Sequence, residues 1–168
     1  DGNISEEKLE NCINSDLANN FGNLCQRVLT FAEKNCSAVI PKHEFKNIDL
    51  SILNSITKID KIRKFIDYQD INQYMSFIVE SLFASNKYFN DQEPWKKKDD
   101  RLRLSTIVYT ALELIRKISI LLYPVMPHTI VKVLNTFNIK ESEINFSSLE
   151  NNEILKENDQ INKLDILF

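Results

Sequence analysis

Two polar side chains in the first predicted helix have the chemistry and the spacing to bind a nucleic acid. Asn23 and Arg27 are four residues apart, so they project from one helix face on adjacent turns. The asparagine amide offers one acceptor and two donors, and the arginine offers a planar fork of donors. Such a pair could bind the edge of a base and a phosphate together. The alternatives are an exposed helix surface or an Asn–Arg contact that supports a neighbouring loop.

The second candidate is the only tryptophan, Trp95, which follows Pro94 in a predicted loop. Stacking of a nucleobase on an aromatic ring contributes about 1–3 kcal/mol, and nearby cations add attraction to phosphates. The candidate phosphate contacts that follow it are Lys96, Lys97, Lys98 and Arg101. In the alternative interpretation, Trp95 covers the end of the core and the lysines form a solvated run beside Asp99 and Asp100.

Catalytic and metal-binding patterns are absent from the sequence. It contains no nucleotide-binding glycine motif, nucleophile elbow, HExxH or zinc-ligand spacing. Cys12, Cys25 and Cys36 form no CxxC pair, which predicts reduced thiols in a cytosolic protein. The two histidines, His43 and His128, are too far apart to indicate a site. We therefore expect neither a metal centre nor catalytic residues.

The negative charge of the chain is concentrated at its C-terminus. The formal net charge is −3, and residues 141–168 carry seven acidic side chains and two lysines, a net charge of −5. The other 140 residues therefore carry +2 and can present a local basic face. No apolar run reaches the ~18–20 residues of a membrane helix, and no signal peptide opens the chain. We expect a cytoplasmic protein that is cut from a longer polypeptide.

The elements that must position these side chains are predicted to be helices. Only 2 Gly and 4 Pro occur in 168 residues, which leaves little room for tight turns. Apolar residues at three- and four-residue spacing predict helices at about 5–34, 49–67, 70 to before Pro94, 99–123 and 127–137. The third helix carries Phe83 among its apolar positions, and residues 86–98 are predicted to be a loop. We expect an all-α bundle of four to five helices over residues 1–140, with an acidic tail, 141–168, partly docked on it.

Three motifs in this sequence resemble the anticodon-binding domain of the methionyl-tRNA synthetase family. The opening helix of that domain resembles NSDLAN at residues 14–19, followed by Gly22, Asn23, Leu24 and Arg27. A loop before its next long helix resembles NKYFNDQEPW at residues 86–95, and a helix end with the following turn resembles LLYPVMP at residues 121–127. The motifs keep the family's order and cover about residues 1–137, and the first and third are shared more loosely with other class I synthetases.

The resemblance implies roles for the three candidate residues. In that family, an Asn and an Arg four apart on the first helix, with the Trp of the Pro-Trp loop, recognise the CAU anticodon. Carried over, Trp95 would stack on the splayed-out first anticodon base, and Asn23 and Arg27 would form hydrogen bonds to anticodon bases and their backbone. This agrees with the usual recognition of unstacked RNA loop bases by stacking and base-edge hydrogen bonds. We expect Asn86, Tyr88 and Pro94 to shape the loop without contacting RNA, and Arg116 to have a structural or phosphate-binding role.

The resemblance also implies partners that lie outside these residues. The family's HIGH- and KMSKS-like signatures, which activate methionine with ATP, are missing here, so these residues alone should bind tRNA without aminoacylating it. The implied partners are the anticodon stem-loop of tRNA(Met) and an N-terminal catalytic domain, with no membrane. We expect no cofactor in these residues, and ATP, with Zn or Mg as candidate metals, in the parent enzyme.

Two alternative functions stay open at this point. The first is the anticodon-binding domain of another class I synthetase, for Ile, Val, Leu or Cys. The second is a helical interaction module that binds no RNA, in which Asn23, Arg27 and Trp95 would be unrelated in space.

Overall fold

Six α-helices and three short 3₁₀ helices form the part of the chain that the computed structural model describes, which comprises the backbone of residues 2–164 and the side chains of residues 15–164. The α-helices are α1 (Gly2–Asn35), α2 (Asn47–Ile56), α3 (Ile59–Asp67), α4 (Ile71–Gln92), α5 (Arg101–Leu122) and α6 (Pro127–Thr136). The prediction of an all-α bundle is confirmed. The predictions for the thiol of Cys12 and for residues 165–168 lie outside the described residues.

Helix α5 forms the centre of the bundle. It contacts α1, α2, α4 and α6, and nearly all of its side chains are buried. A helix whose side chains are buried on every side is stable only when other elements surround it. The Asp100 carboxylate caps its first turn by accepting a hydrogen bond from the backbone N–H of Arg103, at 3.1 Å. Among residues 2–164, no helix is long and apolar enough to cross a membrane.

Contacts at the helix ends determine the relative directions of α1, α4 and α5. Arg101 at the start of α5 donates a hydrogen bond to the carbonyl of Asn35 at the end of α1, at 2.7 Å. Tyr74 near the start of α4 donates to the carbonyl of Leu121 near the end of α5. Both α1 and α4 therefore run antiparallel to α5. It follows that α1 and α4 run parallel to each other.

The helix predicted at residues 49–67 is in fact two helices, α2 and α3, which are separated at Thr57 and Lys58. The Thr57 hydroxyl donates to the carbonyl of Leu149 in the tail, at 2.8 Å, and lies 2.7 Å from the Lys117 ammonium of α5. These tertiary contacts tie the chain down at the break. The periodicity of the sequence carries no sign of them.

Helix α4 ends before Pro94 as predicted, but the loop that follows it does not begin at residue 86. Residues 86–92, predicted to be a loop, continue α4, because Tyr88 and Phe89 are buried while the polar residues between them and Gln92 face outward. The helix stops at Glu93, whose φ of 47° is left-handed, immediately before Pro94. Phe83, predicted at an apolar position of this helix, is exposed instead of packed in the core.

Charged side chains of α5 bind the C-terminal segment to the bundle. Arg116 is buried, pairs with Glu113 and donates to the backbone carbonyls of Ser148 and Asn151, at 3.3 and 2.7 Å. Glu113 accepts a hydrogen bond from the backbone N–H of Ile154, at 2.7 Å. Burial raises the pKa of Glu113, and the adjacent Arg116 opposes that rise. These contacts give Arg116 a structural role.

The tail also contributes apolar side chains to the core. Leu149, Leu155 and Ile161 are buried, and Val39 and Gln160 form a single antiparallel bridge between the segment after α1 and the tail. The tail segment up to residue 164 therefore covers part of the core as well as carrying negative charge.

We expect Arg116→Ala to lower the free energy of unfolding by about 3–5 kcal/mol, because it leaves the Glu113 carboxylate buried without its charged partner. The double variant Glu113→Gln/Arg116→Met should be less destabilised, because no unpaired charge remains and the introduced amide can still accept from the backbone N–H of Ile154. Urea denaturation of the three proteins measures this order. An Arg116→Ala variant at least as stable as the double variant would contradict it.

Candidate nucleic-acid interface

A groove with a volume of about 1220 Å³ lies between α1 and α4, and all three residues of the predicted RNA site line it. The residues of α1 and α4 that line it include Asp16, Asn20, Asn23, Arg27, Lys34, Val79, Phe83, Asn86, Phe89 and Asn90, and Trp95 closes it from the following loop. The sequence predicted this convergence, and the alternative of a module without an RNA site predicted its absence.

The ring of Phe89 in α4 connects Arg27 to Trp95. The guanidinium carbon of Arg27 lies 5.4 Å from the centroid of the Phe89 ring. The Trp95 and Phe89 centroids are 6.0 Å apart with an interplanar angle of 72°, an edge-to-face contact. Phe31 of α1 makes a second edge-to-face contact with Phe89, also at 6.0 Å. A buried phenyl ring thus places a cation and an indole at the same end of the groove.

Arg27 and Asn23 differ in how they are held. Arg27 donates a hydrogen bond to the side-chain carbonyl oxygen of Asn90 in α4, which fixes one edge of the guanidinium across the groove. A guanidinium has five N–H donors, so this bond leaves others for a ligand. Asn23 is exposed, and its amide makes no hydrogen bond with any other side chain or backbone group in the described residues.

Trp95 is positioned but not covered. Its side chain is 40% exposed, although the preceding Pro94 is buried. An indole that is held by an edge-to-face contact with Phe89 and is still 40% exposed can serve as a stacking platform. Trp95 therefore covers the buried ring of Phe89, as in the alternative interpretation, and also presents part of its own ring to solvent.

The cations predicted to contact phosphate lie in the segment that follows Trp95. Lys96 pairs with Glu93 at 3.3 Å, and Arg101 binds the carbonyl of Asn35 at the end of α1. Lys98 is exposed and Lys97 is half-buried. None of the four is among the groove-lining residues of the described chain, whereas Lys34 is. Their contact with phosphate stays a prediction.

A buried ion pair holds both ends of the Trp95 loop. The Asp49 carboxylate in α2 accepts two hydrogen bonds from the Arg103 guanidinium of α5, at 2.8 and 3.0 Å, and one from the Tyr88 hydroxyl of α4. Arg103 also donates to the side chain of Gln92, the last residue of α4, at 2.8 Å. We call Asp49, Tyr88, Gln92 and Arg103 the Asp49 network. Because Gln92 and Arg103 flank the loop at residues 93–100, this network fixes the loop relative to the bundle.

The electrostatics of the Asp49 network favour the ionised carboxylate. Burial acts to raise the pKa of Asp49, but the hydrogen bonds from Arg103, Tyr88 and the backbone N–H of Lys46 outweigh burial and leave that pKa below its ordinary value. The pKa of Arg103 is raised by its hydrogen bonds to Asp49. The pair is therefore fully charged at neutral pH, and bidentate Arg–carboxylate geometry adds orientation to the attraction.

Sequence reasoning missed most of these supporting residues. Phe89 and Asn90 lie in the motif that resembled the synthetase domain, but nothing in the spacing indicated their partners in α1. The sequence pattern placed Asp49 only at the start of a predicted helix and gave Arg103 no role. A buried carboxylate and its arginine, 54 residues apart, leave no periodic signal in a single sequence.

Metal-ligating side chains do not cluster in the described part of the chain. Within residues 15–164, no group of three or more His, Cys, Asp or Glu side chains is arranged to hold a metal ion. Cys25 and Cys36 are free, buried thiols, and burial raises the pKa of both.

Comparison with known protein families identifies the domain. The family described as "Anticodon binding domain of methionyl tRNA ligase" matches residues 43–168. The chain belongs to this family. Methionine–tRNA ligase of Mycobacterium leprae is 35% identical over 156 residues, covering 89% of this chain, and that of Caldanaerobacter subterraneus is 35% identical over 173 residues, covering all of it. The chain spans 29% and 27% of the length of these two relatives.

Solved structures of the family share the fold of this chain. Apo methionyl-tRNA synthetase of Mycobacterium tuberculosis superposes with a TM-score of 0.83 at 29% identity, covering 93% of this chain and 32% of that one. The same enzyme in complex with methionyl-adenylate gives a TM-score of 0.84 at 28% identity, covering 96% and 33%. The family membership favours the methionyl domain over those of other class I synthetases.

We expect Asp49→Asn to lower the free energy of unfolding at pH 7 by about 3–5 kcal/mol, because it leaves Arg103 buried without a counter-charge. The pKa of Asp49 is lower in the folded chain than the ~3.9 of an unfolded aspartate. Below about pH 4 the unfolded chain therefore binds more protons than the folded chain does. The extra stability of wild type over Asp49→Asn is lost as the pH falls through the pKa of Asp49 in the folded chain.

Urea denaturation of wild type and Asp49→Asn at pH 7 and pH 3 measures this effect. The difference in stability between them should narrow at pH 3. Asp99→Asn, which changes an exposed carboxylate, should stay within about 0.5 kcal/mol of wild type. If wild type and Asp49→Asn differ by the same free energy of unfolding at both pH values, the lowered pKa of Asp49 is contradicted.

Proposed function

We propose that this chain recognises the CAU anticodon of tRNA(Met) through the groove between α1 and α4. The observation that carries the proposal is the placement of Asn23, Arg27 and Trp95 in that one groove, in a chain of the methionyl anticodon-binding family. Asn23 and Arg27 lie on one helix, and Trp95 lies more than 60 residues further along the chain. Joint recognition of one RNA loop requires that they share a groove.

Trp95 supplies the stacking surface in this proposal. RNA sequence is usually recognised on unstacked loop bases, which expose both their faces and their hydrogen-bonding edges. The exposed face of the Trp95 indole can receive one such base, and its contact with Phe89 holds the ring in place before the RNA arrives. A platform that is ordered in advance loses less conformational entropy on binding.

Arg27 and Asn23 supply the polar contacts. The bond to Asn90 holds the Arg27 guanidinium across the groove, and its remaining N–H groups can donate to a base edge or a phosphate. Asn23 is one helical turn away on the same face and offers both a donor and an acceptor. Together they can distinguish a base by its donor and acceptor pattern, which a stacking contact alone cannot do.

The charge distribution favours local over long-range attraction. The net charge of −3 gives little steering of RNA from a distance, and seven of the acidic residues lie in the tail. Arg27 and Lys34 in the groove, with Lys96, Lys97, Lys98 and Arg101 after Trp95, provide the cations for phosphate contacts. We therefore expect binding by the chain alone to be weak and sensitive to salt.

The wider context is part of the same proposal. We infer that the chain acts within a methionine–tRNA ligase, next to an N-terminal catalytic domain that joins methionine to tRNA with ATP, in the cytoplasm. Zn or Mg, where the parent enzyme needs a metal, would serve that catalytic domain. The support is the family membership, together with the two relatives named above, of whose length this chain spans only 29% and 27%.

We expect the chain to bind a stem-loop with the anticodon CAU more tightly than one with a different anticodon and the same stem. Trp95→Ala should weaken binding of the CAU loop by about 1–3 kcal/mol through loss of stacking, whereas Trp95→Phe should lose less. Calorimetry or fluorescence anisotropy with labelled RNA measures both. Equal affinity for the two loops, or no loss on Trp95→Ala, would count decisively against base recognition.

A matched pair of variants tests the role of Arg27. Arg27→Ala removes both the positive charge and the planar set of N–H donors, and it should weaken binding by about 1.5–3 kcal/mol. Arg27→Lys keeps the charge and loses the planar fork, so it should retain the salt dependence of binding but reduce the preference for CAU. Binding at two salt concentrations with both anticodons separates the effects. If Arg27→Lys discriminates as well as wild type does, the guanidinium contributes only charge.

A further inference from the structure

Phe83 of α4 is an aromatic side chain left in water at the wall of the groove. It is 73% exposed, and Val79, one turn before it, is 44% exposed. Burying a phenylalanine side chain is worth about 1.5–3 kcal/mol, so a core position would have been more favourable for this ring. Both residues line the groove that holds Trp95.

The position of Phe83 along the groove follows from the packing of α1 on α4. These helices run parallel, and the Arg27–Asn90 hydrogen bond sets their register. Phe83 precedes Asn90 by seven residues, as Asn20 precedes Arg27, so each lies about 10 Å from that bond along its helix. Phe83 and Asn20 therefore occupy the same level of the groove, two turns from the Arg27 end.

Amide side chains line the middle of the groove, beside the apolar side chains of Leu17 and Leu82. Asn20 and Asn23 line it from α1, and Asn86 lines it from α4. Amides carry both donors and acceptors and can match the edges of nucleobases. Amides set among apolar side chains can contact both the edges and the faces of nucleobases.

The charges of the groove are distributed unevenly. Arg27 and Lys34 lie toward the Trp95 end, and Asp16 lies toward the Phe83 end. A phosphate is attracted at the first end and repelled at the second. An RNA strand in this groove would therefore place a base at the Phe83 end, with its backbone directed away from Asp16, and the Asp16 carboxylate can accept a hydrogen bond from an exocyclic amino group.

We infer that Phe83 is a second stacking platform, which receives another unstacked base of the same RNA loop that Trp95 contacts. The inference rests on the proposed function and extends it from one stacked base to two. The groove then recognises two bases in one strand, one stacked beside the Arg27 and Lys34 cations and one beside the amides of Asn20 and Asn86.

The test uses the 168-residue chain and the CAU stem-loop, with binding measured by fluorescence anisotropy of labelled RNA. Phe83→Ala should weaken binding roughly 5- to 150-fold, the range expected for one lost stacking contact. Phe83→Tyr should retain most of the affinity, and Phe83→Leu, which keeps an apolar side chain without a ring face, should not. Tyr68→Ala removes an aromatic ring that is 82% exposed outside the groove and should leave binding unchanged.

Stem-loops with a single abasic position identify the base that each ring receives. An abasic change at the base stacked on Phe83 should weaken binding to wild type but not further weaken binding to Phe83→Ala. The position that couples to Phe83 in this way should differ from the position that couples to Trp95. Coupling of both rings to one and the same position would overturn the inference.

The other outcomes separate this inference from the proposed function. If Trp95→Ala weakens CAU binding and Phe83→Ala does not, the inference is wrong and the proposed function stands. If Phe83→Leu binds as tightly as wild type, Phe83 contributes only apolar surface, and stacking is again refuted. If wild type binds CAU and other loops equally, the proposed function fails and the second platform fails with it.

Discussion

The geometry of this site depends on one carboxylate that is buried away from water. Asp49 accepts hydrogen bonds from the Arg103 guanidinium, the Tyr88 hydroxyl and the backbone N–H of Lys46, and a charge so deeply buried is tolerated only when its partners are all in place. Arg103 and Tyr88 belong to two different helices and stand on either side of the Trp95 loop. The cost of leaving the charge unpaired therefore restricts where that loop can go.

The aromatic contacts extend this constraint from the scaffold to the groove. Phe89 follows Tyr88 directly, so the residue that anchors α4 to Asp49 is adjacent to the ring that contacts both Arg27 and Trp95. A displacement of the end of α4 would move the Phe89 ring and its two partners together. The groove is thus built from helices, with a single short loop added, and this rigidity suits recognition of a small number of RNA bases.

Much of this organisation could be predicted from the sequence, and the rest depends on tertiary contacts. Helical periodicity and the scarcity of glycine and proline predicted the bundle, and the family motifs brought Asn23, Arg27 and Trp95 into one hypothesis. The break at Thr57 was missed because contacts with the tail hold it. Residues 86–92 were predicted to be a loop because they are rich in polar side chains, which form the exposed face of α4. Phe83 was predicted at an apolar position because phenylalanine is usually buried, but here it is exposed.

The central claim is that an RNA base enters the groove at Trp95, and the fluorescence of this single tryptophan reports on it directly. The chain is titrated with the CAU stem-loop while a label on the RNA reports binding independently. If a base stacks on Trp95, the tryptophan emission changes to saturation along the binding curve, and this change is absent when another anticodon replaces CAU at the same concentrations. Binding of the CAU loop with unchanged tryptophan emission would place the RNA elsewhere and contradict the account.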